Sequence, residues 1–482
     1  ASRAALAALP VPRITFNYLG QFDASFEQDE LALFVPAAES SGSEQSGQAP
    51  LSNWLTLNGQ VYEGALSLGW TFSPQMFATS DMQALADAYA QELGDLVEHC
   101  CNPLHHGATP SDFPLAGLDQ AQLDGLGLAL AGVEDIFVLS PMQQGMLFHT
   151  LYESASGDYV NQLRVDVEGL DAERFRAAWN VLVARHEVLR SGFFWEQLEQ
   201  PVQVVYKHAA LAFEILDWRQ TADREAALDA LAAAQLAAGF DMRSAPLMRV
   251  QLVRSATQRH HLIYTHHHIL MDGWSSSQLL GEVLQVYHGV SLGPVPARQA
   301  DYISWLQAQD GEQSKAFWLE QLRDLASPTR LAHAVVTGDP QALGYAGQHQ
   351  HFDAATTHAL SEFARQQKVT LNTLVQAAWL LLLQRYTGQA TVSFGATVSG
   401  RPAELRGVEQ QIGLFINTLP VVASPRPELA LSQWLQQVQA QNLSLREHEH
   451  TPLFEVQRWA GQGGEALFDN ILVFENYPVA EV

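Results

Sequence analysis

The chain has 482 residues, 47% of them hydrophobic and 16% charged, with 52 acidic against 26 basic side chains and a formal charge of −26. That length and composition describe a globular protein with room for two or three compact units. A field of that sign repels phosphate backbones and anionic lipid, which argues against nucleic acid and membrane surfaces as partners.

Only two cysteines occur, the adjacent Cys100 and Cys101, and no spaced Cys/His set points to structural zinc. The chain therefore reads as cytoplasmic. Its start, ASRAALAALPVPRITF, lacks the long apolar core and cleavage site of a secretory signal. The most apolar run, TLVQAAWLLLLQRY, is broken by Gln376, Gln384 and Arg385. It is too short to span a bilayer and predicts a buried helix. A start without Met and a stop after FENYPVAEV read as a piece of a longer chain.

In chain order, RITFNYLGQF and VYEGALSLGWTFS carry the aromatic and β-branched content of strands. Between them, ESSGSEQSGQAP has no means of building a core and reads as a loop. Met82, Leu85, Tyr89, Leu93, Leu96 and Val97 then fall at helical spacing, with Ser80 or Asp81 placed to cap. Periodicity lapses in NPLHHGATPSDFPLAG, which sets a domain boundary at 102–116, before a short helix in LDQAQLDGL. A larger unit begins at Glu134. SPMQQGMLFHTLYES predicts a helix, QLRVDVEGL a strand, and DAERFRAAWNVLVARHEVLRS a helix burying Phe175, Ala178, Trp179, Leu182 and Val183. LMRVQLVRS and HHLIYTHHHIL read as strands, followed by helical SSSQLLGEVLQVYHG. After the turn-rich SLGPVPARQA, helices in ADYISWLQAQD, KAFWLEQLRDL, LNTLVQAAWLLLLQRYTG and LSQWLQQVQAQNLSLREHE alternate with strands in TVSFGATVSG and DNILVFENY. Two successive lobes of alternating helices and strands indicate α/β layers.

The chemistry concentrates in HLIYTHHHILMDGWSSSQLL. A strand running to His268 puts Leu262, Tyr264, His266 and His268 on one face, and Ile263, Thr265 and His267 on the other. Asp272-Gly273 marks a tight turn, and Ser275–Ser277 can cap the next helix. His268 then sits at a strand end, with an imidazole able to exchange a proton near neutrality. Gly273 lets backbone N–H groups approach a reacting carbonyl. The bland reading of one such histidine is a satisfied core residue, which three in a row strain. A zinc site built from His266, His268 and Asp272 is the other alternative, without a distinctive ligand spacing.

HHILMDG resembles the HHxxxDG signature of the condensation-domain superfamily, which also includes chloramphenicol acetyltransferase-like and wax-ester-type acyltransferases. SPMQQGMLFH, RHEVLRSGFF, ADYISWLQ, IGLFINTLP and HEHTPLFEVQRW resemble further motifs of that family, in the same order. One departure is Gln299, where the aromatic motif usually begins with Tyr, and the expected effect is on packing. The resemblance implies a two-lobed chloramphenicol acetyltransferase-like α/β fold, each lobe a mixed sheet covered by helices. It implies attack of an acceptor aminoacyl amine on a donor peptidyl thioester, both carried on phosphopantetheine arms of carrier domains. No cofactor or metal of the chain's own is implied; the partners are upstream and downstream carrier domains and adjacent synthetase modules. His268 corresponds to the residue implicated in amide formation, and His267, Asp272 and Gly273 support it. Asp272 is expected to hold the loop through an ion pair with Arg185 or Arg190.

Within the family, His267 and His268 stand where cyclising domains carry aspartates, and MDGWSSSQLL departs from the continuation usual in epimerisation domains. SPMQQGMLFH, HHILMDGWS, HEHTPLFE and FDNILVFENYP resemble the class that takes a D-terminated donor. RITFNYLGQFD resembles the FNYLG motif near the end of epimerisation domains. The expected organisation is an epimerisation-domain tail at 1–101, a linker with a short helix at 102–133, an N-lobe at 134–296 and a C-lobe at 297–482, truncated at its end. Residues 1–101 are expected to be able to stand in for the missing end. A free-standing acyltransferase using coenzyme A thioesters and a non-catalytic carrier-docking module are the alternatives. The first has no use for the N-terminal segment, and the second typically loses the histidine motif.

Overall fold

The computed structural model describes residues 13–21, 53–62, 64–102, 107–152, 159–338, 346–461 and 465–475. The expected Ser/Gly-rich loop at 39–50, residues 103–106 of the expected boundary and the closing NYPVAEV lie outside them. The chain divides into two compact units, residues 1–107 and 108–482.

In the first unit, β1 (Ile14–Gln21) runs parallel to β2 (Leu55–Tyr62), which pairs antiparallel with β3 (Ala65–Phe72). VYEGALSLGWTFS is therefore the two arms of a hairpin and not one strand. Gly64 breaks it, with φ at +70, a left-handed conformation that costs glycine little. Helix α1 (Thr79–Cys101) packs Met82 and Tyr89 against Leu55, Leu57, Trp70 and Phe72. Leu85, Leu96 and Val97, assigned by spacing to the same face, are exposed. A helix of 23 residues is about 35 Å long and outruns strands of eight residues, about 27 Å. Cys100 and Cys101 near its end are free thiols on the surface.

The second unit opens on α2 (Gln120–Gly125), capped by Asp119, whose side chain accepts from the Gln122 N–H at 2.8 Å. The segment read as a linker is packed from Ala108 onward. Phe113, Ala116 and Leu123 are buried with Val133, Ile136, Phe194, Val202 and Val204. The first lobe continues through β4 (Val133–Val138), α3 (Pro141–Tyr152), β5 (Val160–Glu168), α4 (Ala172–Arg185), β6 (Ser191–Phe194), β7 (Val202–Tyr206), β8 (Ala212–Asp217), α5 (Arg224–Ala237), β9 (Met248–Arg254), β10 (Arg259–His267) and α6 (Gly273–Tyr287). Its mixed sheet has the order β5-β10-β9-β8, and a smaller antiparallel sheet the order β4-β7-β6. The α4 face expected from spacing is buried at all five positions, because the 3.6-residue period puts them on one side of the helix, packed against α6 and Tyr264 of β10.

The second lobe contains α7 (Gln299–Gln307), α8 (Gly311–Leu322), α9 (Leu331–Val335), α10 (Ala354–Gln366), α11 (Leu371–Thr387), β11 (Val392–Val398), β12 (Asn417–Ala423), α12 (Leu431–Arg446), α13 (Leu453–Trp459) and β13 (Ile471–Leu472). Its mixed sheet has the order β12-β11-β13. The apolar α11 buries Ala377, Leu380 and Leu383 but exposes Leu382 and Tyr386, so it is covered on one side only. No helix among the described residues is long and apolar enough to cross a membrane.

A strap, residues 411–416, leaves the second lobe just before β12. Ile412 and Leu414 enter the core of the first lobe, while Phe415 joins Phe137, Val205, Tyr302, Ile303 and Val408 in a separate cluster. Alternate side chains of one extended segment thus anchor in two cores. This stitch brings second-lobe residues to the end of β10.

Candidate active site

Strand β10 lies inside its sheet, paired with β5 and β9, and is buried on both faces. That accounts for the Leu262-Ile263-Tyr264 run at its centre, where alternation lapses. Tyr264 packs on Trp179 with ring centres 5.0 Å apart, and His266 stacks on Tyr264 at 4.9 Å. On the opposite face, Thr265 accepts from Gln162 at 3.1 Å. The strand ends one residue earlier than expected, at His267. His268 opens a 3₁₀ turn, His268–Leu270, that leads to α6.

The two motif histidines are fixed in opposite tautomers by their partners. For His267, the Ile269 N–H donates to Nδ1 at 3.1 Å. The Thr150 hydroxyl donates to the Met146 carbonyl, so it accepts from His267 Nε2–H at 3.2 Å. His267 is thus a neutral ring with both nitrogens used inside the fold. For His268, Nδ1 faces the Met271 carbonyl at 2.8 Å and must carry the proton. In the neutral ring the lone pair is then on Nε2, which has no hydrogen-bond partner among the described residues, and the ring is only partly buried.

Burial and the neighbouring imidazoles push His267 down to about 4 and His266 down to about 3. Unfolded imidazoles titrate near 6.5, so between pH 6.5 and 4 the unfolded chain binds protons that these folded rings do not. Their contribution to stability is complete above pH 6.5 and is lost as pH falls, about 1.4 kcal/mol per unit per ring. Urea midpoints are expected to fall steadily from near pH 7 to near pH 5, with a shallower slope in His266→Phe. A midpoint flat across that range contradicts the neutral assignment.

Asp272 does not pair with either expected arginine. Arg185 donates to Glu282 at 3.2 Å and to the Gly293 carbonyl, and Arg190 to Glu134 at 2.7 Å and to the Tyr206 carbonyl. Glu282 lies ten residues along α6 from Asp272, about 15 Å down the helix axis, so Arg185 meets α6 too far from its cap. The partner of Asp272 is Arg401, Nη2 to Oδ1 at 3.3 Å, in a pair with side-chain exposures of 4% and 0%.

Asp272 caps α6, accepting from the Ser275 N–H at 2.8 Å, and also accepts from the Phe415 N–H at 3.1 Å. Its own N–H donates to the Gly413 carbonyl at 3.1 Å. Ser275 donates its hydroxyl to the same carbonyl at 2.8 Å and accepts from the Gly413 N–H at 3.1 Å. Arg401 lies over the Phe415 ring at 4.1 Å and donates to the Val408 and Gln411 carbonyls. Gly400 precedes it at φ +61, where a Cβ would sit 1.7 Å from the Phe415 carbonyl oxygen, so only glycine fits. With Asp272 committed to the strap, His266, His268 and Asp272 present no shared face of free lone pairs. No cluster that could hold a metal ion is found among the described residues.

Sequence reasoning placed His267, His268, Asp272 and Gly273 in one turn, and the structure brings them together at the β10–α6 junction. It missed Arg401 and Gly413, and it cast Ser275 as a helix cap, whereas Asp272 is the cap and Ser275 lies in the first turn, bound to Gly413. The signal was present in SGRP and IGLF, a lone arginine beside a glycine-proline turn and a glycine among bulky apolar residues.

A half-buried imidazole whose Nε2 has no partner among the described residues, on a loop clamped between two α/β lobes, meets the comparison with known proteins. The condensation domain family matches residues 133–482. The chain belongs to that family. One of the linear gramicidin synthase proteins of Brevibacillus parabrevis is 39% identical over 476 residues, covering 97% of this chain and 9% of that protein. Chondramide synthase cmdD of Chondromyces crocatus is 36% identical over 528 residues, covering 98% of this chain and 13% of that one. The chain thus spans a small fraction of the relatives it matches. Among solved structures, the starter condensation domain of rhizomide synthetase has a TM-score of 0.58 at 22% identity, covering 70% of this chain and 78% of that one. The four-domain nonribosomal peptide synthetase holo-AB3403 also gives 0.58, at 19% identity over 71% of this chain and 27% of that one. At such identities the likeness concerns the fold, and it matches the two-lobed condensation-domain architecture.

Proposed function

We propose that this condensation domain forms a peptide bond between two thioesters borne on phosphopantetheine arms of partner carrier domains. The acceptor's α-amine attacks the donor carbonyl, the C–S bond breaks, and the thiolate takes up a proton. The observation that carries this is the tautomer of His268, whose Nδ1–H is tied to the Met271 carbonyl and whose Nε2 can accept a proton or hydrogen bond. A thioester is already activated and a free amine is a competent nucleophile, so holding the amine in line supplies much of the rate. Gly273 opens α6, where first-turn N–H groups have no partner inside the helix. Without a Cβ it lets the thioester approach that end.

Residues 1–101 read as the tail of an epimerisation domain, and the donor as one ending in a D-residue. The alignment to linear gramicidin synthase covers 97% of this chain, far more than the second unit at 108–482, so most of the first unit has a counterpart there too. This supports a fixed tandem of the two segments. With D- and L-terminated donor carriers and one acceptor carrier, the D-donor is expected to be turned over at least tenfold faster, a difference of about 1.4 kcal/mol in the barrier. Equal rates for both donors would remove the stereochemical assignment while leaving the reaction in place.

A further inference from the structure

We propose that Gln299 is a positioning residue for His268, closing a ring of hydrogen bonds that runs through both lobes. This rests on the proposed function for its kinetic readout. Besides the His268 N–H to the Tyr159 carbonyl, at 2.7 Å, two anchors of the His268 turn lie on either side of it. On one side, the Ile269 carbonyl accepts from Gln143 Nε2 at 3.4 Å. On the other, Asp272 is bound to the strap and to Arg401. These two anchors are joined to each other away from the histidine. Gln143 donates to Gln203 at 2.9 Å, Gln203 to the Ser191 hydroxyl at 2.8 Å, and Ser191 to the Glu187 carbonyl at 2.9 Å. The Glu187 carboxylate accepts from the Gln299 N–H at 3.4 Å and from Arg298 at 2.6 Å. The Gln299 Oε1 then accepts from Gln411 Nε2 at 3.1 Å, and the Gln411 carbonyl accepts from Arg401 at 3.0 Å, which returns the path to Asp272.

Gln143, Gln203, Ser191, Gln299 and Gln411 are each buried, at 3% exposure or less. A polar chain there is costly where unsatisfied, and the Gln299 Nε2 has no hydrogen-bond partner among the described residues, so its Oε1 bond to Gln411 is what holds this buried amide in one geometry. Gln299–Gln411 is its side-chain link between α7 and the strap. Gln299 is also the position where the family resemblance calls for Tyr, and a cavity of roughly 60 Å³ lined by Gln299, Gln411, Glu187 and Ile412 lies beside it. The departure therefore reaches the chemistry through the strap and is not confined to packing.

The test compares Gln299→Met, Gln411→Met and the double variant in the two-carrier assay, with the ¹⁵N imidazole signal of His268 recorded without substrate. Each single variant is expected to lower kcat about fivefold to tenfold, the rate equivalent of one neutral hydrogen bond, with acceptor KM within twofold. The double variant is expected to match the singles, since both remove one bond. The His268 signal is expected to move from a pinned Nδ1–H tautomer toward a mixture. Turnover within twofold of the parent, or a double variant showing the product of the single losses, overturns the proposal. Should Gln299→Met not fold, Gln411→Met reads the same bond from its other end. A parent chain that makes no dipeptide counts against the proposed function alone. The imidazole signal then decides the positioning role, an unchanged signal overturning it.

Discussion

Replacing His268 with alanine is expected to lower dipeptide formation roughly a hundredfold to ten-thousandfold, the range for removing a positioned acid–base group. The fold should survive, because His268 is only partly buried and, among the described residues, its ring makes one hydrogen bond, to the Met271 carbonyl. His267→Ala is the instructive contrast. That ring binds both the Ile269 N–H and Thr150, so its loss should lower the urea midpoint as well as the rate. The two variants therefore separate chemistry from scaffolding on adjacent residues. Near-parental turnover by His268→Ala, measured with loaded donor and acceptor carriers, would falsify the assignment of the reacting imidazole.

The second large effect concerns Arg401. Arg401→Met leaves the Asp272 carboxylate buried without its counter-charge, and removing one partner of such a pair costs about 3–5 kcal/mol. The loss should appear as a lower urea midpoint for the second unit. Asp272→Asn should be destabilising in its own right, since Arg401 is then the stranded charge and the Ser275 and Phe415 N–H groups meet a weaker acceptor. The double variant should recover part of the sum, because each replacement removes the penalty the other leaves. Activity should fall in all three. The strap that carries Gly413 and Phe415 loses its registration on α6, and a misplacement of about 1 Å can cost a hundredfold. An Arg401→Met chain within about 0.5 kcal/mol of its parent would show that the strap is held by its apolar anchors alone.

Much of this protein was legible in the residues themselves. The α4 face, the strand character of β9 and β10 and the grouping of His267, His268, Asp272 and Gly273 follow from short-range rules. A period of 3.6 or 2 and a turn at Asp-Gly each involve neighbours a few residues apart. The condensation-domain fold was legible too, through motifs that are themselves local. The exposure of Leu85, Leu96 and Val97 was not, since it depends on how far a small sheet extends beneath a long helix. Nor was the hairpin at Gly64, where alternation continues on either side of the turn.

The partner of Asp272 shows the limit most clearly. The sequence offered arginines in RHEVLRS, in the same lobe, and the structure chose Arg401, 129 residues away and in the other lobe. An ion pair is settled by which side chains converge once two cores have formed and a strap has been threaded between them. No local pattern encodes that. The amino-acid sequence by itself determined that a histidine would stand at a strand end beside a capped helix. Tertiary structure decided what holds the turn, because Thr150, Gln143 and the strap reach it from distant parts of the chain, whereas the Met271 carbonyl that binds His268 Nδ1 is only three residues on.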